Sequence, residues 1–219
     1  MTLGELHDRV LAWAGADERK EWLLAARREH FGRAGEPHEE DLSHEARMNG
    51  LLDHYLFDFR PDGTHTTIEL YLRDGADGLD TDARAEMREM GRCLHSLYDV
   101  RALRPGEIEL QDVFTGVRRK VLERRAAVGL AKGDLLEARL LPWRGQLHFS
   151  ASSLYHPREV RRRILQEVKR RKRLAGATGT VDVPAFLADL SRMALRLERY
   201  RNVRVESIYD FEAPARPGA

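Results

Sequence analysis

The spacing of apolar residues changes near residue 97, and this change limits the fold more than any other feature of the chain. Before that point, apolar side chains such as Leu3, Leu6 and Val10 recur three or four residues apart, as on an amphipathic helix. Beyond it, five short apolar runs are separated by turn residues such as Arg144-Gly145. Short runs joined by tight turns are typical of antiparallel strands. We therefore expect an α+β protein in which helices come before a small sheet.

This pattern predicts four segments. A helical region covers residues 1–97, and its last helix runs from about residue 80 to about 97. A five-stranded small antiparallel barrel covers 98–156, with strands at 98–103, 108–114, 117–123, 135–141 and 146–151. Basic and amphipathic helices cover 157–212. The tail at 213–219 is expected to be disordered.

Composition limits the class of protein. Apolar residues make up 42% of the chain and charged residues 33%, which argues against wholesale disorder. The single cysteine, Cys93, excludes an internal disulfide and favours a reducing compartment. The first 20 residues have neither the basic start nor the unbroken apolar run of a secretory signal. No stretch is apolar enough to span a bilayer. We therefore expect a cytoplasmic protein.

Charge is distributed unevenly along the chain. Residues 1–90 contain 11 Lys or Arg and 21 Asp or Glu, although the whole chain has a net charge of only +1. An asymmetry of this kind is a clue to interactions. It indicates either a basic half that binds a partner, or two halves that attract each other within one chain or across a dimer.

The segment 158–173 is the most basic part of the chain. It contains nine Lys or Arg and only two Glu, arranged around a narrow apolar stripe. Such a helix favours binding to nucleic acid phosphates. Membrane binding is the less favoured alternative, because the stripe lacks Trp and Phe. In a third interpretation, the basic residues are solvated or face the acidic half. The candidate residues are Arg158, Arg161, Arg162, Arg163, Lys169, Arg170, Arg171, Lys172 and Arg173.

The predicted barrel adds a second candidate surface. Small barrels bind single strands by stacking bases on exposed aromatic rings within a basic groove. Arg118, Arg119 and Lys120 would supply the charge, and Trp143 lies in a turn-like sequence where we expect it to be partly exposed.

The segment 37–47 is a weak candidate for a metal site. His38, Glu40, Asp41 and His44 would lie on the first turns of a helix, where Asp41 and His44 or Glu40 and His44 could share one ion. No second ligand helix stands out, and acidic residues also favour a helix N-terminus without any metal. The chain lacks the motifs of phosphate loops, dinucleotide-binding turns and zinc proteases, so no cofactor is predicted.

Three segments carry a resemblance. They read LLDHYLFDFRPDGTHTTIELYL (51–72), LYDVRALRPGEIELQDVFTGVRRKVLERRA (97–126) and KGDLLEARLLPW (132–143). Together they resemble a group of uncharacterised bacterial proteins with an aromatic "FDWFLFD" helix followed by a small β module. Some members of that group carry a cysteine metal motif at the C-terminus, which this chain lacks. The resemblance implies the helix-then-sheet architecture and supplies no catalytic residues.

These observations favour a non-catalytic binding protein that engages nucleic acid, or else an acidic protein partner, through its basic helix and barrel face. The main alternative is a scaffold protein that self-associates through its opposite charges. A metal-dependent enzyme is the least favoured class.

Overall fold

The computed structural model describes residues 1–123, 129–176, 179–200 and 202–211. The helices are α1 (Leu3–Ala14), α2 (Lys20–Ala34), α3 (His44–Phe57), α4 (Thr67–Asp74), α5 (Thr81–Met90), α6 (Arg161–Ala175), α7 (Val183–Arg199) and α8 (Val205–Ile208). The strands are β1 (Leu94–Arg104), β2 (Glu107–Asp112), β3 (Arg118–Leu122), β4 (Leu135–Trp143), β5 (Gln146–Phe149) and β6 (Leu154–His156). The protein is therefore α+β, as predicted. The tail predicted at 213–219 lies outside the described residues.

Local sequence explains where several helices begin. Thr2 and Glu5 form a capping box at α1, in which each side chain accepts a hydrogen bond from the other residue's backbone N–H. At the start of α5, the Asp80 carboxylate accepts a hydrogen bond from the Ala83 N–H. None of the helices in the described part of the chain combines the length and apolar character that crossing a bilayer requires.

The strands form one mixed six-stranded sheet rather than five antiparallel strands, so that part of the prediction is wrong. The pairings β1–β2, β2–β3, β3–β5, β5–β4 and β4–β1 make a closed circuit, and β6 is added to β4. Directions cannot alternate all the way round a circuit of five strands, so one pair must be parallel. That pair is β3–β5, in which Val121 lies beside Leu147. The three-residue β6 is too short to stand out from sequence.

The change from helix to strand comes earlier than predicted. Helix α5 ends at Met90, where the Gly91 N–H bonds to the Met87 carbonyl, and Leu94 is already the first residue of β1. Leu94 continues the helical spacing of the residues before it, which is why the sequence predicts a longer helix. Its structure is decided instead by pairing with Leu140 of β4, far away in the chain.

The β4–β5 turn is fixed by its two residues. Arg144 and Gly145 both have positive φ, 47° and 72°, which is the conformation of a tight two-residue hairpin turn. Arg144 is an unusual residue there, and two contacts hold it: its N–H donates to the Glu86 carboxylate, and its guanidinium to the Met1 carbonyl. The turn is thereby attached to α5 and the N-terminus.

Three apolar clusters make up the core. The first lies among α1 to α5 and includes Leu141 and Trp143 of β4. The second lies among α6, α7 and α8 and includes Leu97 of β1 and Leu135 of β4. The third lies within the sheet. The predicted division into segments stays a prediction, but β4 contributes to all three clusters.

We predict that His156 makes the protein less stable at mildly acidic pH. This side chain is 5% exposed, and burial lowers its pKa from 6.5 to about 4. Between those values the unfolded state binds the proton and the folded state does not, so stability falls as pH falls through this window. The contribution to the free energy of unfolding at pH 4.5, relative to pH 7, is about 2 to 3 kcal/mol.

Urea unfolding of the wild type and of His156→Gln at pH 7.0 and 4.5 measures this contribution. The loss on acidification should be smaller in the variant by that amount. His7→Gln, at a partly exposed residue of α1, is the matched control and should leave the loss unchanged. An equal loss in the wild type and in His156→Gln would contradict the prediction.

Candidate functional site

Helix α6 has a buried side and a cationic side. Ile164 and Val168 pack in the second cluster, whereas five cationic residues are exposed and form no ion pair with any carboxylate in the described part of the chain. We call these five the cationic face of α6. They are Arg162, Arg163, Lys169, Lys172 and Arg173. Arg162, Lys169 and Arg173 are seven and four residues apart and therefore lie in one line along the helix.

The other predicted basic residues of this segment have carboxylate partners. Arg158 pairs with Asp134, and Arg161 pairs with Asp99 at 2.8 Å. Arg170 and Arg171 both pair with Glu167, and Arg171 also reaches Asp189 of α7 at 2.8 Å. These side chains attach α6 to the sheet and to α7, so their charge is compensated.

Two of the three β3 candidates are also compensated. Arg118 pairs with Glu109 at 3.2 Å and Lys120 with Glu107 at 3.3 Å, both across the β2–β3 ladder. Arg119 is half-buried, and its buried Nη1 lacks a hydrogen bond. The β3 strand therefore does not extend the uncompensated charge of α6.

The expectation that Trp143 is partly exposed is wrong. Its side chain is 8% exposed and packs in the first cluster with the N-terminal helices. The adjoining turn is held against α5 through Arg144, and this covers the indole. The ring is therefore not available as a stacking platform.

The predicted metal residues do not assemble a site. Asp41 is bound by Arg199 at 2.8 Å and by the His38 N–H at 2.6 Å. The hydrogen bond from Arg199 is the largest influence on its carboxyl group and lowers the pKa to about 2. His44 turns its Nδ1 to the His38 carbonyl, and Glu40 is exposed. Among the described residues, no three His, Cys, Asp or Glu side chains are grouped as metal ligands.

Sequence reasoning missed a polar cavity of about 470 Å³. It lies between helices α2, α3 and α7 on one side and the β1–β4 pair on the other. The strand side presents four polar residues: Cys93 just before β1, His95 in β1, and Glu137 and Arg139 in β4. Apolar residues lie opposite, including Ala34, Leu187 and Ala188. The cavity is thus amphipathic.

Arg139 is the central cation of this cavity. Its side chain is 3% exposed, and its guanidinium binds both carboxylate oxygens of Asp58. It also donates to Cys93 Sγ at 3.0 Å, and its Nε lies 3.9 Å from Asp53 Oδ2. Arg139 therefore joins the sheet to the end of α3.

A second set of polar contacts surrounds that ion pair. His95 Nε2 lies 3.2 Å from Glu137 Oε1, while Glu137 Oε2 is buried without a hydrogen-bond partner. Ser152 donates to the Asp53 carboxylate. Such buried polar networks are costly unless they are satisfied, and they mark sites where sequence is not chosen for apolar packing alone.

Burial and neighbouring charges shift the pKa values of three groups in the cavity. Burial works against ionisation of Asp58, but hydrogen bonds from His54 and Arg139 outweigh it and hold the pKa of that carboxyl well below its usual range. Burial raises the pKa of the Cys93 thiol, more than Arg139 lowers it. Burial, followed by the nearby His54, lowers the pKa of His30 to about 4. At neutral pH, Asp58 is therefore ionised, Cys93 is a thiol and His30 is uncharged.

A signal for this cavity exists in the sequence of β4. Leu135, Glu137, Arg139, Leu141 and Trp143 share one face of the strand, since side chains alternate. Charged and apolar residues on one face suggest a partly solvated surface, whereas both faces are buried here. The segments that carry the resemblance also contain cavity residues, namely Asp53, His54, Asp58, Glu137 and Arg139.

Comparison with known proteins gives one match. A family model described as "Family of unknown function (DUF7986)" matches residues 35–193. This agrees with the predicted resemblance to an uncharacterised protein group, and the matched range includes the segments 51–72, 97–126 and 132–143. No curated protein and no solved structure matches the chain.

We predict that Arg139→Met destabilises the protein by about 3 kcal/mol, because it leaves the Asp53 and Asp58 carboxylates without their cation. Arg139→Lys should cost less, since it keeps the charge but loses the two-pronged contact with Asp58. The measurement is urea unfolding at pH 7. Arg104→Met, at an exposed ion pair with Glu107, is the control and should change stability by less than about 1 kcal/mol. An Arg139→Met protein as stable as this control would refute the assignment.

Proposed function

The chain belongs to this family of unknown function, and we propose that it binds nucleic acid through the cationic face of α6. The observation that carries the proposal is that these five exposed cations have no carboxylate partner among the described residues. A basic residue that is paired within its own chain has little charge left for a ligand. Arg163 donates hydrogen bonds to the Glu206 and Tyr209 carbonyls, and Lys172 donates one to the Val113 carbonyl. Arg162, Lys169 and Arg173 have neither an ion pair nor a hydrogen bond of this kind among the described residues, so these three are free to neutralise phosphates.

The layout of the face suits a phosphate backbone. Arg162 and Arg173 are eleven residues apart, which corresponds to about 16 Å along a helix. Lys169 lies between them on the same line, and Lys172 and Arg163 flank it. A linear array of cations matches the regularly spaced charges of a nucleic acid strand better than an isolated charge would.

Base recognition is not expected at this face. The segment 158–176 contains no aromatic residue, so it offers no ring on which a base could stack. Contacts to phosphates position a protein on nucleic acid but carry no sequence information. The proposed binding is therefore independent of sequence and strongly dependent on salt.

A membrane surface fits this helix less well. Interfacial helices insert an apolar face that is free to enter the lipid. In α6, Ile164 and Val168 are already buried against the rest of the protein. Only Leu174 is a largely exposed apolar residue of the helix, at 69%.

We predict the salt dependence of binding to duplex DNA. Three to five phosphate contacts give a slope of log K against log salt of about −3 to −4.5. Fluorescence anisotropy with a labelled 20-base-pair duplex, titrated at several salt concentrations, measures this slope. Two duplexes of unrelated sequence should bind equally. A slope near zero, or a strong preference for one sequence, would argue against phosphate binding.

We also predict that the triple variant Arg162→Gln, Lys169→Gln, Arg173→Gln loses most of this binding. Each lost phosphate contact should reduce the slope by about 1, so the triple variant should lose about 3. The matched control is Arg104→Gln, Arg118→Gln, Lys120→Gln, which removes the same charge from residues that pair with Glu107 and Glu109. The control should keep nearly full affinity.

The two triple variants separate the proposal from its alternatives. Equal losses in both would show a general charge effect rather than a site on α6. Absence of binding at low salt would favour the scaffold interpretation, which sedimentation at low and high salt would test through salt-dependent self-association. Binding to anionic vesicles but not to duplex DNA would assign the face to a membrane surface.

A further inference from the structure

The polar cavity bounded by α2, α3, α7 and the β1–β4 pair has no role in the proposed nucleic-acid binding, because none of the cationic face of α6 lines it. Its volume of about 470 Å³ lies in the range of small-molecule sites. Its polar groups converge from four separate parts of the fold, which is also usual for such sites.

The charges of the lining are balanced. Four arginines line the cavity, namely Arg33, Arg47, Arg60 and Arg139. Four carboxylates also line it, namely Glu29, Asp53, Asp58 and Glu137. Counted over these arginines and carboxylates, the lining therefore carries no net charge.

The most buried of these charges already have partners. Arg139 binds Asp58, and Arg47 donates to Ser43 and to Ser191. Asp53 accepts from Ser152. Because Arg47 bonds only to serines among the described residues, the charges balance when summed over the lining and not pair by pair. A ligand with a net charge would upset that sum and would lose its hydration, which is costly in a buried environment. A molecule without net charge avoids that cost.

Imidazole nitrogens are the main groups left for a ligand. One of them, His54 Nε2, is buried without a hydrogen-bond partner in the described part of the chain, although the same ring also lies beside Asp58. His95 is 30% exposed in its side chain and is held by Glu137, whereas His54 and His30 lie on the helical side with ring centroids 5.2 Å apart. A neutral imidazole both donates and accepts hydrogen bonds. Opposite them, Leu187 and Ala188 of α7 present apolar surface.

We propose that this cavity binds a small amphipathic molecule without net charge, either zwitterionic or uncharged, whose polar groups bond to the histidines and whose apolar part lies against α7. The inference is independent of nucleic-acid binding, since the two sites share no residue.

Four probes with a common phenyl group test the selectivity for charge. Phenylalanine is zwitterionic, phenylacetamide is uncharged, phenylacetate is an anion and phenethylamine is a cation. At pH 8, where exposed imidazoles are neutral, ligand-detected NMR titrations should show the first two binding at least tenfold more tightly than the two ions. Absence of binding by all four, or tightest binding by either ion, would overturn the proposal.

Gly50→Leu tests where the probes bind. A Cβ at Gly50 would lie 3.7 Å from His30 Nε2 and 3.8 Å from the Ser152 Cβ, so a small side chain starts without a clash and a larger one enters the cavity. The variant should abolish binding of phenylalanine and phenylacetamide. Unchanged binding in a folded Gly50→Leu protein would place the probes elsewhere and overturn the proposal.

Glu137→Gln tests the cause of the selectivity. It keeps an oxygen for the bond with His95 but leaves the lining with one excess positive charge. The preference should shift towards phenylacetate by at least tenfold. The matched control, Glu109→Gln, removes one carboxylate from β2 outside the cavity and should leave the preference unchanged. An unaltered preference in Glu137→Gln, with the wild-type melting temperature retained, would overturn the charge-balance argument.

Discussion

Burial of β4 on both faces is the constraint on which the rest of the structure depends. Leu136, Ala138 and Leu140 pack within the sheet, so the opposite face must be covered by other elements. That opposite face of β4 is apolar at both ends. Helices α6 to α8 cover one end at Leu135, and helices α1 to α5 cover the other at Leu141. The middle of that face holds Glu137 and Arg139, and the fold has to supply partners for them from α3 and β1. The cavity lies where the two helical groups meet over this polar centre.

Whether a basic side chain has a carboxylate partner decides whether its charge holds the fold together or is available to a ligand. Arg161 and Arg171 are strongly basic, but both form ion pairs, with Asp99 in the first case and with Glu167 and Asp189 in the second. The pairs with Asp99 and Asp189 hold α6 in position. Arg162 and Lys169 belong to the same helix and have no such partner in the described residues. In the cavity, the arginines and carboxylates of the lining are equal in number. We therefore expect a ligand without net charge there, in contrast to the polyanion expected at α6. Net charge along the sequence therefore says less about function than the pairing of individual side chains.

Features set by local sequence could be predicted, and features set by distant pairing could not. Asp80 caps α5 through its near neighbour Ala83, and the pair Arg144-Gly145 indicates a turn, although contacts with Glu86 and Met1 also hold Arg144 in that conformation. The spacing of Leu94 predicts a helix, but its pairing with Leu140 places it in a strand. Trp143 follows a proline and precedes a turn, which suggests exposure, but packing with the N-terminal helices in the first cluster buries it. The cavity is lined by residues of α2, α3, β1, β4 and α7, which lie far apart in the sequence. No single segment of the sequence could therefore predict it.

The two proposed sites share two strands and are also connected through α7. Arg158 and Arg161 attach α6 to Asp134, which directly precedes β4, and to Asp99 of β1. His95 and Arg139 lie opposite each other four residues further along the same ladder, about 13 Å away. Paired strands transmit little displacement, because both faces here are packed and a shift would break their register. Movement of α2 or α3 around a ligand would therefore leave the cationic face of α6 in place. Helix α7 is different, because Leu187 and Ala188 line the cavity while Asp189 pairs with Arg171 of α6. A ligand that displaces α7 would accordingly shift α6, so α7 is the element through which occupation of the cavity would influence binding to phosphates.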